Sequence, residues 1–266
     1  MRRITPALTT ELFNYYGNPR EKRVGESDAF KVVTFSELVE HVARLSFLNK
    51  DYLLFYRGQM QDYRNKAGVS SFYPTMYRGD HLSKKELTAR FTVLKEKSKI
   101  LVKKFEELRI EGYKEVKKRE YIQWSILQHY EVCPTPFIDF THSLRVACSF
   151  SFYKNTSDKG YVFIFGLPYL TNRISINSEH DLVNVRLLSI CPPTALRPYF
   201  QEGYLVGTDG ITDNYDAKSE LDFNNRLIAK FEIPNKESFW GKDFHGIPTE
   251  LLYPDEDPVF DLCKSI

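Results

Sequence analysis

The sequence predicts an α+β fold, with a mixed or antiparallel central sheet flanked by helices. Three observations carry this. Helical and strand patterns follow one another without the strict βαβ alternation of a doubly wound protein. Ser/Thr-x-x-Glu capping boxes at Thr34–Glu37 and Ser83–Glu86 each precede an apolar pattern of helical period. Runs such as Tyr52–Tyr56 and Tyr161–Phe165 are continuous, aromatic-rich and too short for helices, so they read as buried strands.

Residues 1–30 are polar and turn-rich, and are expected to form a loosely packed lead-in to a single domain over 31–266. After the first capping box, Leu38, Val42 and Leu45 recur at helical spacing, which places the helix end near Asn49. Tyr52–Tyr56 follows as a strand that stops at Gly58. The second box opens a helix to about Arg109, with Leu87, Phe91 and Leu94 on its buried stripe. A further helix covers about 119–129 through Tyr121, Trp124 and Leu127, and Pro134 and Pro136 forbid its continuation. Phe137-Ile138 and Tyr161–Phe165 are strands, with a buried helix between them at Ser143–Tyr153. Arg173–Ile176, Gly203–Val206 and Leu227–Phe231 complete the predicted sheet. The last thirty residues are expected to be helical or irregular, punctuated by Pro248, Pro254 and Pro258.

With 266 residues, 42% of them hydrophobic and 15% aromatic, the chain can bury one large core. It has no uncharged apolar run of about 18 residues, so no membrane span is expected. The two arginines near the N-terminus lack the apolar stretch of a secretory signal. Cys133, Cys148, Cys191 and Cys263 show no metal-ligand spacing, so neither a metal nor a disulfide framework is expected, and reducing cytoplasm is the expected compartment. Net charge is +2, but residues 84–120 carry thirteen Lys/Arg against seven acids, and residues 209–266 six against thirteen. A basic stripe of this kind is either a solvated helix face or a surface for a polyanion.

Three strings place polar groups in apolar surroundings, where they must be paired or must serve a site. The first is Tyr56-Arg57-Gly58-Gln59. Arg57 ends a buried strand and offers a charged fork suited to phosphate or carboxylate, or else a buried pair with Asp139. The second runs from Gln128-His129 to Asp139 and Thr141. His129 is either a helix-end residue bonded to terminal carbonyls or a site group, and Thr141 and Ser143 are either caps or ligands. The third holds Arg197, Gln201, Glu202 and Gly203. Cys133 lies four residues after His129, but the spacing bends through a loop and does not support a catalytic pair. The absence of P-loop, GxGxxG, HExxH and GxSxG strings argues against the enzyme classes they mark.

Together the strings resemble the FRG domain. Tyr56-Arg57-Gly58-Gln59 stands where that family has its naming motif, with Tyr73–Arg78 as the companion segment. QHYEVCPTPFIDFT, residues 128–141, is similar to the family's QHxGxPTRLLDWT, and Arg197, Gln201, Gly203 and Tyr204 are similar to its third element. The likeness extends over about 35–258. Glu131 replaces the usual Gly, Pro136 the usual Arg and Phe140 the usual Trp.

A weaker resemblance links this pattern to ADP-ribosyltransferases and implies NAD as co-substrate. It implies that Tyr56, Arg57, Gly58, Gln128, His129, Asp139, Thr141, Ser143 and Arg197 hold the dinucleotide. It also implies that Glu202, Gln201 and Arg57 act in catalysis, where a carboxylate would stabilise an oxocarbenium-like transition state. The acceptor would be RNA or other nucleic acid, or a protein. The setting implied is that of a bacterial toxin or phage-defence effector, with an antitoxin or inhibitor protein as a partner. The alternatives are a non-catalytic nucleotide- or RNA-binding module, and a scaffold built on a buried Arg57–Asp139 network.

Overall fold

The computed structural model describes residues 1–79, 82–209, 215 and 217–266. It confirms an α+β architecture with one mixed sheet. In chain order the strands are β1 (Phe30–Lys31), β2 (Leu53–Gln59), β3 (Ile138–Thr141), β4 (Lys159–Leu167), β5 (Ile174–Asn177), β6 (Leu182–Arg186), β7 (Gly203–Thr208) and β8 (Leu227–Pro234). They are arranged as β1-β8-β4-β2-β3-β7-β6-β5. The β1–β8 pair is parallel and the other neighbours are antiparallel. Helices are α1 (Thr10–Tyr16), α2 (Phe35–Leu48), α3 (Lys84–Glu107), α4 (Tyr113–Lys118), α5 (Glu120–His129), α6 (Leu144–Phe152), α7 (Leu196–Phe200), α8 (Thr249–Leu252) and α9 (Pro258–Lys264).

The register explains why the three polar strings meet. Tyr56 pairs with Thr141 across β2–β3, and Thr141 pairs with Gly203 across β3–β7. Strings far apart in sequence thus occupy three adjacent central strands. Because side chains alternate along a strand, Phe55, Arg57 and Gln59 face one side of the sheet and Tyr56 and Gly58 the other.

The Tyr56–Gly58 face is covered by α6. A Cβ on Gly58 would stand 1.7 Å from the carbonyl oxygen of Ala147. The glycine of the first string is therefore required for helix-to-strand contact. On the same face α3, α4 and α5 pack over β6 and β7, burying Leu87, Leu94, Leu101 and Leu127 against Val183, Val185 and Leu205. The opposite face is closed by Phe72, whose ring lies 4.8 Å from that of Phe163 and 5.0 Å from that of Phe165.

Several local expectations are corrected by the structure. Residues 1–30 are pinned rather than loose: Leu12 and Tyr16 are buried, and the Tyr16 hydroxyl bonds both backbone groups of Lys230. Ser83 and Glu86 form a reciprocal capping box. At the first box, Thr34 accepts from the Glu37 amide, whereas the Glu37 carboxylate takes the Val33 amide. Strands β1 and β6 and helix α4 had no sequence signal strong enough to place them. Among the described residues, no helix is long and apolar enough to cross a membrane.

The Gly58 geometry sets a stability test. Gly58→Ala should lower the unfolding free energy by about 3 kcal/mol, because a methyl group cannot displace a backbone carbonyl without separating α6 from the sheet. Urea unfolding monitored by circular dichroism should show the midpoint fall accordingly.

Candidate functional site

The ends of β2, β3 and β7, the segment 60–79 and the residue Tyr253 enclose a cleft of about 1130 Å³. Of the residues singled out from sequence, Tyr56, Arg57, Gly58, Gln128, His129, Asp139, Thr141 and Gln201 line it. Ser143, Arg197 and Glu202 do not.

Arg57 donates from Nη1 to the backbone carbonyl of Asp139 at 2.6 Å, and its Nε is buried with no partner. The expected carboxylate pair is absent, because the Asp139 side chain is directed to α5. There its Oδ2 accepts from Gln128 Nε2 at 2.8 Å, and its Oδ1 lies 3.9 Å from Nδ1 of His129. The Gln128 carbonyl oxygen in turn accepts from the hydroxyls of Thr135 at 2.5 Å and Thr75 at 3.3 Å. One helix-end amide thus ties together the turn at Thr75, the Pro-locked loop and β3.

The Asp139 side chain is 41% exposed, and it opens into the cleft. Burial opposes its ionisation. The His129 imidazole, the Arg57 charge and the Gln128 amide outweigh burial and hold its pKa below the ordinary value. Burial likewise draws the Arg57 pKa down, without removing the charge of a guanidinium.

The hydroxyls of the second string serve local structure. Thr141 Oγ1 accepts from the Ser143 amide at 3.0 Å, and Ser143 Oγ accepts from the Val146 amide at 3.4 Å as the cap of α6. Arg197 is buried in an aromatic column, its guanidinium 3.6 Å from the Phe260 ring centre and 5.1 Å from that of Tyr253. Tyr253 stacks in turn on Tyr153 at 4.7 Å. Arg197 is thus a support for the cleft wall that carries Tyr153 and Tyr253. Gln201 reaches the cleft, but its amide nitrogen is committed to the Leu252 carbonyl at 2.7 Å. Glu202 is exposed and occupies the left-handed region at φ 45°, where it ends α7.

Glu131 shows the same constraint. The Val132 amide bonds Leu127 O and the Glu131 amide bonds Gln128 O, a Schellman closure of α5 with Glu131 at φ 56°. This is the position where glycine was expected from the FRG pattern, and it explains that expectation physically.

Several features of the cleft and its surroundings had no signal of their own in the sequence. At the edge of the cleft Arg64, paired with Asp28 and Asp62, Lys66 and Lys218 join Arg78 of the companion segment, and Tyr63 joins its Tyr73 as aromatic surface. Buried Lys230 holds the loop that carries several of them, bonding Asp62 Oδ2 at 2.8 Å, Ser70 Oγ at 2.6 Å and Gly25 O at 3.3 Å. Asp257 is fully buried and accepts from the Tyr130 hydroxyl and from the amides of Leu196, Arg197, Val259 and Phe260. His142 is packed between Phe55 and Tyr204, ring centres 4.0 and 4.4 Å away. Burial lowers its pKa to about 4.

No group of three or more His, Cys, Asp or Glu residues suited to a metal occurs among the described residues. The basic stretch 84–120 lies on α3, α4 and the start of α5, where Lys103 pairs with Glu107, Lys117 with Glu106 and Arg119 with Glu115.

Fold and site together define an α+β protein with a tyrosine-lined, largely cationic cleft at the ends of its central strands. A family model for the FRG domain matches residues 53–160, so that stretch is similar to the FRG domain. The match holds the first two strings, while Arg197, Gln201 and Tyr253 lie beyond it. No curated protein and no solved structure matches the chain.

Two consequences can be measured. Glu131→Gly should raise stability by about 0.5–1 kcal/mol, since it removes the cost of a Cβ in the left-handed region. Glu131→Ala should give no such gain, and thermal denaturation of the pair would show whether Cβ or charge is responsible. For His142 the folded pKa of about 4 lies below the ordinary 6.5 of an unfolded chain. Between those values the unfolded chain binds more protons, so stability is full above about pH 6.5 and is lost as pH falls towards 4. The loss is up to about 3 kcal/mol, and unfolding of His142→Gln at pH 7 and pH 4 should show that part of the pH dependence gone.

Proposed function

We propose that the cleft binds an NAD-type dinucleotide and that the protein is an ADP-ribosyltransferase-like enzyme. One observation carries this reading: Arg57, Thr141 and Gln201, from three distant strings, line one cleft of about 1130 Å³ together with tyrosines and further cations. Cations with aromatic rings fit a ligand that combines phosphates with planar bases, and the volume suits more than a single nucleotide.

Arg57 lines the floor of the cleft without a carboxylate salt bridge among the described residues and serves as the phosphate anchor. Glu202 stands outside the cleft; of the two carboxylates that line it among the described residues, Glu131 and Asp139, the one in this reading is Asp139, which lies beside Arg57. Asp139 is held ionised by its neighbours and exposed to the cavity, as a group must be if it is to stabilise positive charge developing on a ribose. Gln128 and His129 position that carboxylate from α5.

The location of Glu202 also favours a second reading, a non-catalytic nucleotide- or RNA-binding module that uses the same anchors without turnover. Incubation with NAD labelled in the ADP-ribose part, together with RNA, DNA and protein acceptors, separates the two. The enzyme reading expects nicotinamide release and label transfer. Arg57→Ala should weaken NAD binding about tenfold or more, as loss of a charged hydrogen-bond donor does. Asp139→Asn should bind within about threefold of the native protein and lose about a hundredfold in turnover. Binding without nicotinamide release would leave the binding module, and no NAD binding at all would sink the dinucleotide assignment.

A further inference from the structure

We propose that Arg57 and Arg78 form a clamp for two adjacent phosphate groups, with Arg78 as its second arm. This rests on the reading of the cleft as a nucleotide site and specifies the chemistry of its ligand: a diphosphate ester rather than a monophosphate.

The two arginines reach the cleft from different elements. Arg57 is on central strand β2, and Arg78 follows the helical turn Thr75–Tyr77 at the edge. Neither guanidinium forms a salt bridge with a carboxylate among the described residues. Arg57 donates to the Asp139 carbonyl at 2.6 Å, and Arg78 donates from Nε to the Tyr73 carbonyl at 3.1 Å. Burial lowers the Arg57 pKa, the Asp139 carboxylate raises it, and the Arg78 charge lowers it again, so the two cations sense each other across the cleft. Like charges held together in a partly desolvated cavity are unfavourable until an anion joins them.

The second arm is pre-set. Arg90 Nη1 donates to the carbonyls of Met76 at 2.7 Å and Arg78 at 3.0 Å, and Lys218 Nζ bonds the Gly79 carbonyl. The Met76 amide is tied to the Thr135 carbonyl at 3.0 Å. The backbone on both sides of Arg78 is therefore fixed, while its side chain is exposed to the cleft. A pre-placed donor loses less entropy when it binds an anion.

The number of forks points to two phosphates. Asp139 lies beside Arg57 and offsets part of its charge, and Arg78 adds a second guanidinium from another wall of the cleft. Two guanidinium forks from two walls match two phosphate groups in sequence.

Calorimetric titration of AMP, ADP and inorganic pyrophosphate into the native protein, Arg78→Ala and Arg78→Lys tests this. The exposed position of Arg78 makes its variants safe for folding. The native protein should bind ADP about tenfold or more tightly than AMP. Arg78→Ala should weaken ADP and pyrophosphate about tenfold while changing AMP less than about threefold, and Arg78→Lys should recover part of the loss. Equal affinity of the native protein for AMP and ADP would overturn the clamp, as would an equal loss of both in Arg78→Ala. If NAD binds but ADP is no better than AMP, the clamp alone falls. If no nucleotide binds, the nucleotide reading falls with it.

Discussion

The structure of the cleft depends on one side-chain amide. Gln128, in the last turn of α5, must satisfy both a donor and an acceptor in a half-buried position. It does so by giving its N–H to Asp139 and taking the hydroxyls of Thr135 and Thr75. Each partner belongs to a different segment, so the amide fixes the helix end, the Pro134–Pro136 loop, β3 and the turn before α3 relative to one another. It also directs the Asp139 carboxylate towards α5. That leaves Arg57 with a backbone carbonyl in place of an ion pair and an unused Nε. A buried polar group left half-satisfied is costly, so the arrangement is either complete or unstable. Here Arg57 Nε and His129 Nε2 are left without partners among the described residues, and both residues line the cavity.

The walls around this core are held by two further polar centres. Lys230 has its three protons met by Asp62, Ser70 and Gly25, and so fastens the loop after β2 to β8. Asp257 receives five donors from three elements and fastens α7 and α9 to Tyr130. A charge buried without partners would cost several kcal/mol, and each of these is instead a junction where chain segments converge. The loop and the C-terminal segment are therefore rigid walls of the cleft. Fixed placement is what Tyr253 needs in order to present its side chain to a ligand at low entropic cost.

Much of this was legible in the sequence because the signals were local. The two boxes announced α2 and α3, the proline pair stopped α5, and continuous apolar runs marked β2 and β4. The strings that line the cleft were visible because a charged or amide group among apolar residues has few explanations. What sequence could not supply was partnership across the sheet. Arg57 and Asp139 are adjacent in space, and sequence suggested a pair, but Gln128 competes for the carboxylate and wins. Arg197 looked like an anion contact because its isolation among apolar residues is the same whether phosphate or aromatic rings surround it. Glu202 looked chemical for its type and position, whereas its backbone conformation makes it a helix terminator. Lys230 and Asp257 were missed because each is one charged residue in a stretch with no special spacing.

The division of charge within the cleft gives these placements a common sense. Cations from β2, the segment 60–79 and Lys218 lie around the cavity, Arg64 among them paired with Asp28 and Asp62, and two carboxylates among the described residues line it, Asp139 between Arg57 and His129 and Glu131 at the end of α5. Arg57 is committed to a carbonyl and Asp139 to an amide, with the His129 imidazole beside the carboxylate. Neutral partners orient a charged group without cancelling it, which is the condition for binding an anion and stabilising a nearby cation in the same small volume. An architecture with this separation is better suited to a ligand that carries both kinds of charge than to a simple anion. The Gln128 amide sustains that separation.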